Sequence, residues 1–319
     1  MSNPVRPFRG VFAPLRLAVV LGALIACAGV DNDTARAEAR SGGPGAAAAA
    51  PFVSDRLSVD VVGQGADVIL IPGLASSREA WRATADRLKA THRVHLVQLA
   101  GFAGEPWRHG DGAFVQPEVE ELARYIRQAG LNRPAVIGHS MGGLSGLLLA
   151  QRQPGLVGRL MTVDSLPFYS ALFGPTATPE GVRPFADQAA AMIVGADDAR
   201  FRTQQEATAK ALSRTPEEQA RIVAWSMTSD RHAVASAMKD VMTIDARPGL
   251  AAMTTPVTAL YAADADGGAS AAGADALWAR EYSALPGVTL IRVDGSRHFI
   301  MADQPERFAA LVEAFLAHP

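Results

Sequence analysis

The chain has 319 residues, 49% of them hydrophobic and 19% charged, with a formal net charge of -2. That length buries a large core, as one big domain or a domain with an insertion. The charge is near balance and Lys and Arg form no stripe, which speaks against a nucleic-acid partner, and the single cysteine, Cys27, rules out an internal disulfide.

The N-terminus differs from the rest. Arg6, Arg9 and Arg16 precede an uncharged, mostly apolar run from Leu17 to Val30, shorter than the roughly 20 residues that span a bilayer as a helix. This is a secretory signal pattern. Ala35-Arg36-Ala37 offers a cleavage site before Glu38, giving a leader of residues 1–37. Leu24-Ile25-Ala26-Cys27 reads instead as a lipoprotein signal that would lipidate Cys27 and so tie the chain to a membrane, and an uncleaved anchor is the third alternative. In every case the expected location is exported, periplasmic or secreted. Residues 38–51, rich in Ala, Gly and Pro, read as a flexible linker.

From Phe52 onward, β-rich apolar runs alternate with helical stretches. RLSVDVV, DVILIPG, RVHLVQL, AVIGH, RLMTVD, VTALYA and VTLIRV are the strand candidates. Helical windows lie near 76–89, 114–129, 141–152, 270–284 and 303–317. The alternation predicts a mostly parallel sheet with helices on both faces and functional loops at the carboxyl ends of the strands. Between about 166 and 247 no strand interrupts helix-like segments, which predicts a helical insertion. Thr215-Pro216-Glu217-Glu218 is a start signal for one of its helices, with Thr215 as N-cap.

The stretch PAVIGHSMGGLSGLLLA, Pro134 to Ala150, then acquires a meaning. A β-branched strand ends, Gly138-His139-Ser140-Met141-Gly142 turns, and a small-residue helix follows. This is the setting in which G-x-S-x-G presents a nucleophilic serine above the sheet edge; a phosphate-binding glycine turn is the competing use. A serine needs a base. Of seven histidines, His298 follows the last strand and precedes the C-terminal helix, where a loop returns it to Ser140. His139, beside the serine, reads as structural.

These motifs, GHSMGG at the elbow and SRHFIMADQPERF at the histidine, resemble those of the α/β-hydrolase superfamily, and the likeness runs from Phe52 to the C-terminus. It implies an eight-stranded, mostly parallel sheet, a helical cap inserted after the sixth strand, and neither metal nor organic cofactor. It also implies an acid after the seventh strand, in a segment resembling G-x-x-D. Here that segment is VTALYAADADGG, with Ala262 at the usual glycine. Asp264 is the favoured acid; Asp266, and Asp164 at the end of LMTVD where some relatives carry it, are the alternatives. The oxyanion hole needs two N–H donors. Met141 supplies one and Leu74 of Pro72-Gly73-Leu74 the other, although relatives often carry His-Gly in that loop.

The expected activity is hydrolysis of small to medium carboxylic esters through Ser140, His298 and an aspartate, with a small-molecule ester as partner. Phe168, Tyr169, Leu172, Phe173, Met192, Trp225 and Met227 of the insertion are candidates for an apolar acyl pocket or for cap core. Lactone opening, carbon–carbon bond hydrolysis and peracid formation are alternatives on the same triad, and a non-catalytic binding protein is an alternative of another class. Oligomeric state is not legible in the chain.

Overall fold

The computed structural model describes residues 52–317; the leader at 1–37, the linker at 38–51 and Cys27 lie outside the described residues. Seven strands form one sheet: β1 (Leu57–Val62), β2 (Ala66–Ile71), β3 (His92–Leu99), β4 (Ala135–His139), β5 (Arg159–Val163), β6 (Val257–Ala263) and β7 (Thr289–Asp294). Their order is β1-β3-β2-β4-β5-β6-β7. Only β1 runs antiparallel to its neighbour. Each candidate strand window is a strand. Among the described residues the sheet has seven strands where eight were expected, and the helical insertion follows the fifth of them rather than the sixth.

The central parallel strands, β2, β4, β5 and β6, are buried on both faces, which is why their sequences read as apolar runs without alternation. Val68, Leu70, Val136, Ile137 and Leu160 are fully buried or nearly so, each burial worth about 1.5–3 kcal/mol before entropy is counted. One face is covered by α2 (Val115–Gln128), α3 (Met141–Arg152) and α8 (Ala271–Glu281), the other by α1 (Arg82–Leu88), α9 (Ile300–Asp303) and α10 (Pro305–Ala317). In α3 small residues let the helix lie close to the sheet: a Cβ on Gly146 would meet Leu160 at 2.6 Å.

The insertion is four helices, α4 (Pro179–Val194), α5 (Asp198–Leu212), α6 (Pro216–Thr228) and α7 (Arg231–Thr243). Thr178, Asp197 and Asp230 cap α4, α5 and α7 by accepting first-turn N–H groups. The α6–α7 junction is bonded to the loop after β3 through Gly104 N–H to Thr228 O at 3.0 Å and Asp230 N–H to Gly101 O at 2.8 Å. Asp240 of α7 accepts from the N–H groups of Phe114 and Val115 and so caps α2.

One core group is out of keeping with its surroundings. Glu118 on α2 is 1% exposed; Ser145 Oγ of α3 donates to its Oε2 at 3.1 Å, and Oε1 has no partner. Burial pushes its carboxyl from the ordinary 4.5 up to about 8, so it is neutral in the fold at pH 7. Because the folded value lies above the unfolded one, Glu118's contribution is fully present below about pH 4.5. It declines as the unfolded chain ionises and is gone above about pH 8. Glu118→Gln should therefore match wild type in acid and exceed it above pH 8 by on the order of 3–5 kcal/mol in denaturant titrations. Equal stability of the two proteins at both ends of the range would refute the buried, neutral carboxyl.

Candidate active site

Ser140 is the residue between β4 and α3, with φ 54° and ψ -125°. A non-glycine residue there is strained, of order 1–3 kcal/mol, and the neighbours enforce it. Ser140 N–H donates to Val163 O of β5 at 2.9 Å, while Gly143 and Leu144 N–H groups bond back to Ser140 O. Gly142 is required by close approach: a Cβ there would lie 2.5 Å from Ile71 O and 2.6 Å from Pro72 O. The serine thus stands at the N-terminus of α3, where N–H groups and the helix dipole favour negative charge.

The Pro72-Gly73-Leu74 loop after β2 lies beside it, since a Cβ on Gly73 would come 3.0 Å from Ser140 Cβ. Gln98, a 3% exposed amide at the end of β3, organises this corner. It accepts from Arg78 N–H at 2.8 Å and donates to the carbonyls of Leu99 and Phe102 at 3.2 Å. Its sequence signal is a lone amide inside the apolar run HLVQLA.

His298 sits in the loop between β7 and α9, and its Nδ1 is 2.7 Å from Asp164 Oδ2. A carboxylate acceptor fixes the Nδ1–H tautomer and leaves Nε2 as the basic nitrogen. Asp164 leaves β5 with φ 47°, the same left-handed exit that Ser140 makes from the adjacent strand. Its N–H donates to Leu260 O at 2.8 Å, and its Oδ1 accepts from Ala262 N–H at 2.9 Å. His139 is buried under this loop and donates Nε2–H to His298 O at 3.0 Å. Burial, then the neighbouring His298, hold its pKa well below the ordinary imidazole value. It is a neutral support, the structural reading expected of it.

The favoured acid, Asp264, is not at the histidine. Arg214 Nη1 donates to its Oδ1 at 2.6 Å and Arg297 Nε to its Oδ2 at 2.9 Å, so both oxygens of a 5% exposed carboxylate are taken. Asp266 is exposed and 3.7 Å from Arg214. Asp164, the third candidate, is the one bonded to His298.

The apolar candidates divide. Phe168 is fully buried, with the Arg247 guanidinium 4.4 Å from its ring centroid, and Phe173 is 51% exposed against the edge of Phe185. Tyr169, taken with them as lining, has a polar function that the sequence did not signal. Its hydroxyl donates to Asp164 O at 3.4 Å and faces the side chains of Ser165 and Ser140. Burial raises its pKa above the ordinary 10.0, which keeps it a neutral donor. Among the described residues no group of three or more His, Cys, Asp or Glu side chains is placed to hold a metal ion.

A family model described as the alpha/beta hydrolase family matches residues 68–311. Among curated proteins, the pimeloyl-[acyl-carrier protein] methyl ester esterase of Vibrio atlanticus (strain LGP32) is 32% identical over 132 residues, 41% of this chain and 48% of that protein. The enzyme of the same name from Aeromonas salmonicida (strain A449) is 35% identical over 115 residues, 36% of this chain and 44% of that protein. The chain therefore spans about half the length of these relatives. Among solved structures, the enol-lactonase from Burkholderia xenovorans LB400 aligns with a TM-score of 0.67 at 18% identity, covering 82% of this chain and 96% of that one. A thermophilic esterase from Thermogutta terrifontis aligns at 0.66 and 21% identity, covering 82% and 92%.

The geometry distinguishes the two aspartates by a direct readout. A downfield proton resonance from His298 Nδ1–H is expected in the wild type, absent in Asp164→Asn and retained in Asp264→Asn. The reverse pattern would place the acid at Asp264.

Proposed function

The chain belongs to the alpha/beta hydrolase family, and on that premise we propose that it is a serine hydrolase that cleaves small to medium carboxylic esters through Ser140, His298 and Asp164. The observation that carries the reading is the His298–Asp164 hydrogen bond, made by a residue that leaves the strand next to Ser140. An imidazole so oriented serves as general base, and the carboxylate stabilises its cation without itself taking the proton.

In this mechanism Ser140 Oγ attacks the ester carbonyl carbon as its proton passes to His298 Nε2. The carbonyl oxygen becomes an oxyanion, held by the N–H groups of Met141 and Leu74. That tetrahedral intermediate collapses, the bond to the leaving alkoxide breaks, and His298 returns the proton to it. Water, deprotonated by His298, then attacks the acyl-enzyme and releases the carboxylic acid and free Ser140. Tyr169, neutral and beside Ser140, borders the reacting oxygen, and its one hydroxyl proton, turned to Asp164 O in the resting site, rotates to that oxygen as negative charge develops on it.

The relatives named as methyl ester esterases and the structure named as an esterase support an ester as substrate. A lactone is a cyclic ester, and the structural likeness to an enol-lactonase keeps lactones in the substrate range. The signal pattern supports an exported enzyme, either released after Ala37 or anchored through Cys27.

A fluorophosphonate probe should label the wild type at Ser140, with turnover of p-nitrophenyl acetate, butyrate and octanoate and of a γ-lactone followed in parallel. Ser140→Ala should lose label and fall by on the order of a millionfold in kcat, and Asp164→Asn by about 10⁴-fold. Asp264→Asn should cost far less turnover than Asp164→Asn. A folded wild type that takes no label would move the chain to the binding-protein reading. Tyr169→Phe is expected to lower kcat by about three- to tenfold, the worth of one neutral hydrogen bond; an unchanged kcat would remove the hydroxyl from the reaction.

A further inference from the structure

The reading of His298 as general base leaves open what holds a loop histidine in register with Asp164. A loop residue has several backbone conformations to lose, and a misplacement of about 1 Å at a reacting group costs on the order of 10²-fold in rate. The structure supplies a support from an unexpected direction. Both residues flanking His298 are bonded to the last turn of α5, which leads into the α5–α6 turn of the insertion. On one side, Arg297 Nη1 donates to Lys210 O; on the other, Phe299 N–H donates to Leu212 O at 3.0 Å.

Asp303, the last residue of α9, closes the arrangement. Its Oδ2 accepts from Arg297 N–H at 2.8 Å, the amide immediately before His298. Its Oδ1 accepts from Ser213 Oγ at 2.7 Å, Arg214 N–H at 2.8 Å and Thr215 Oγ1 at 3.1 Å. One carboxylate therefore grips the histidine loop with one oxygen and the insertion with the other. Asp264 repeats the bridge at side-chain level, between Arg297 of the loop and Arg214 of the turn. Thr215 precedes Pro216 at the start of α6 yet makes no side-chain cap there; its hydroxyl is diverted to Asp303.

We propose that the α5–α6 turn is part of the machinery that positions the general base, with Asp303 as the positioning residue that joins the turn to the His298 loop. The insertion then has a catalytic duty separate from covering substrate. Any opening for substrate must leave residues 210–215 in place, because a hinge that lifted them would release His298.

The proposal rests on the triad reading and is tested on the full-length protein with p-nitrophenyl butyrate and the fluorophosphonate probe. Asp303→Ala should lower kcat and the rate of labelling by about 10–100-fold, with KM changed less than about twofold, because substrate binding is untouched and base geometry is lost. The downfield His298 Nδ1–H resonance should broaden or vanish at temperatures where circular dichroism shows a folded protein. A control, Asp198→Ala, breaks the Arg231–Asp198 pair at the far end of α5 and should retain kcat and the resonance. Wild-type kcat with an intact resonance in folded Asp303→Ala would overturn the proposal. Should that variant not fold, Ser213→Ala/Thr215→Val decides, since it keeps the Asp303–Arg297 bond and weakens the insertion side. Reduced kcat at constant KM supports the coupling, and unchanged kcat overturns it. Failure of the triad reading itself is separate, since it would show as turnover surviving in His298→Ala.

Discussion

The hydrogen bond between His298 and Asp164, 2.7 Å long, is the interaction on which the rest of the site depends. It joins a loop residue after the last strand to the end of β5, and β5 is the strand beside the one that carries Ser140. Adjacent parallel strands point their carboxyl ends the same way, so a residue leaving each by a left-handed turn stands above the same sheet edge. Ser140 and Asp164 both leave that way. The backbone strain of the two exits is offset by strand pairing and by the bonds that Ser140 N–H makes to Val163 O and Asp164 N–H to Leu260 O. Ser140 and Asp164, the proposed nucleophile and acid, are therefore fixed by the sheet, and only the histidine must be brought to them.

That division explains the two aspartates. Asp164 has one oxygen held by the Ala262 amide of β6 and the other free for an imidazole. Asp264, at the end of β6 itself, is approached by two guanidinium groups before any imidazole can reach it. A buried carboxylate with one cation on each oxygen is a satisfied anchor with no lone oxygen left for an imidazole. The position that the family resemblance offers for the acid thus holds the loop in this chain, and the carboxylate that meets the imidazole stands one strand over.

How far all this was legible in the sequence follows from the range of the interactions. The strands and the elbow were legible because they are local: apolar runs bounded by turns give the sheet, and glycines flanking a serine give the strained exit, whose need for Gly142 is set by the adjacent Ile71 and Pro72 carbonyls. The return of the His298 loop to the sheet edge was legible from chain order. The choice among Asp164, Asp264 and Asp266 was not, because it turns on Arg214 and Arg297, which reach Asp264 from remote points of the chain. The same limit applies to Thr215. Its neighbours Pro216 and Glu217 give the start of a helix, but a carboxylate from the far side of the fold takes its hydroxyl. Tyr169 read as one more apolar side chain, because nothing in LPFYSALF separates a core tyrosine from one whose hydroxyl faces Ser140.

The insertion is pinned to the sheet domain where the catalytic parts need support. Its α5–α6 turn is bonded to the histidine loop, its α6–α7 junction to the loop after β3, and α7 to the start of α2 through Asp240. Helix α4 is anchored through α7, with Asp187 and Lys239 as an ion pair 2.5 Å long, and Phe185 on it meets the half-exposed Phe173. The stretch between them begins at Tyr169, which borders Ser140. The α5–α6 side is thus bonded to the His298 loop, while the segment from Tyr169 into α4 adjoins Ser140 and is held by Ser170 Oγ donating to Met242 O of α7 at 2.7 Å. On the proposed mechanism an acyl group joined to Ser140 lies beside Tyr169, so the segment that begins there would set the size and chemistry of what is accepted, and the α5–α6 side would act on the base alone.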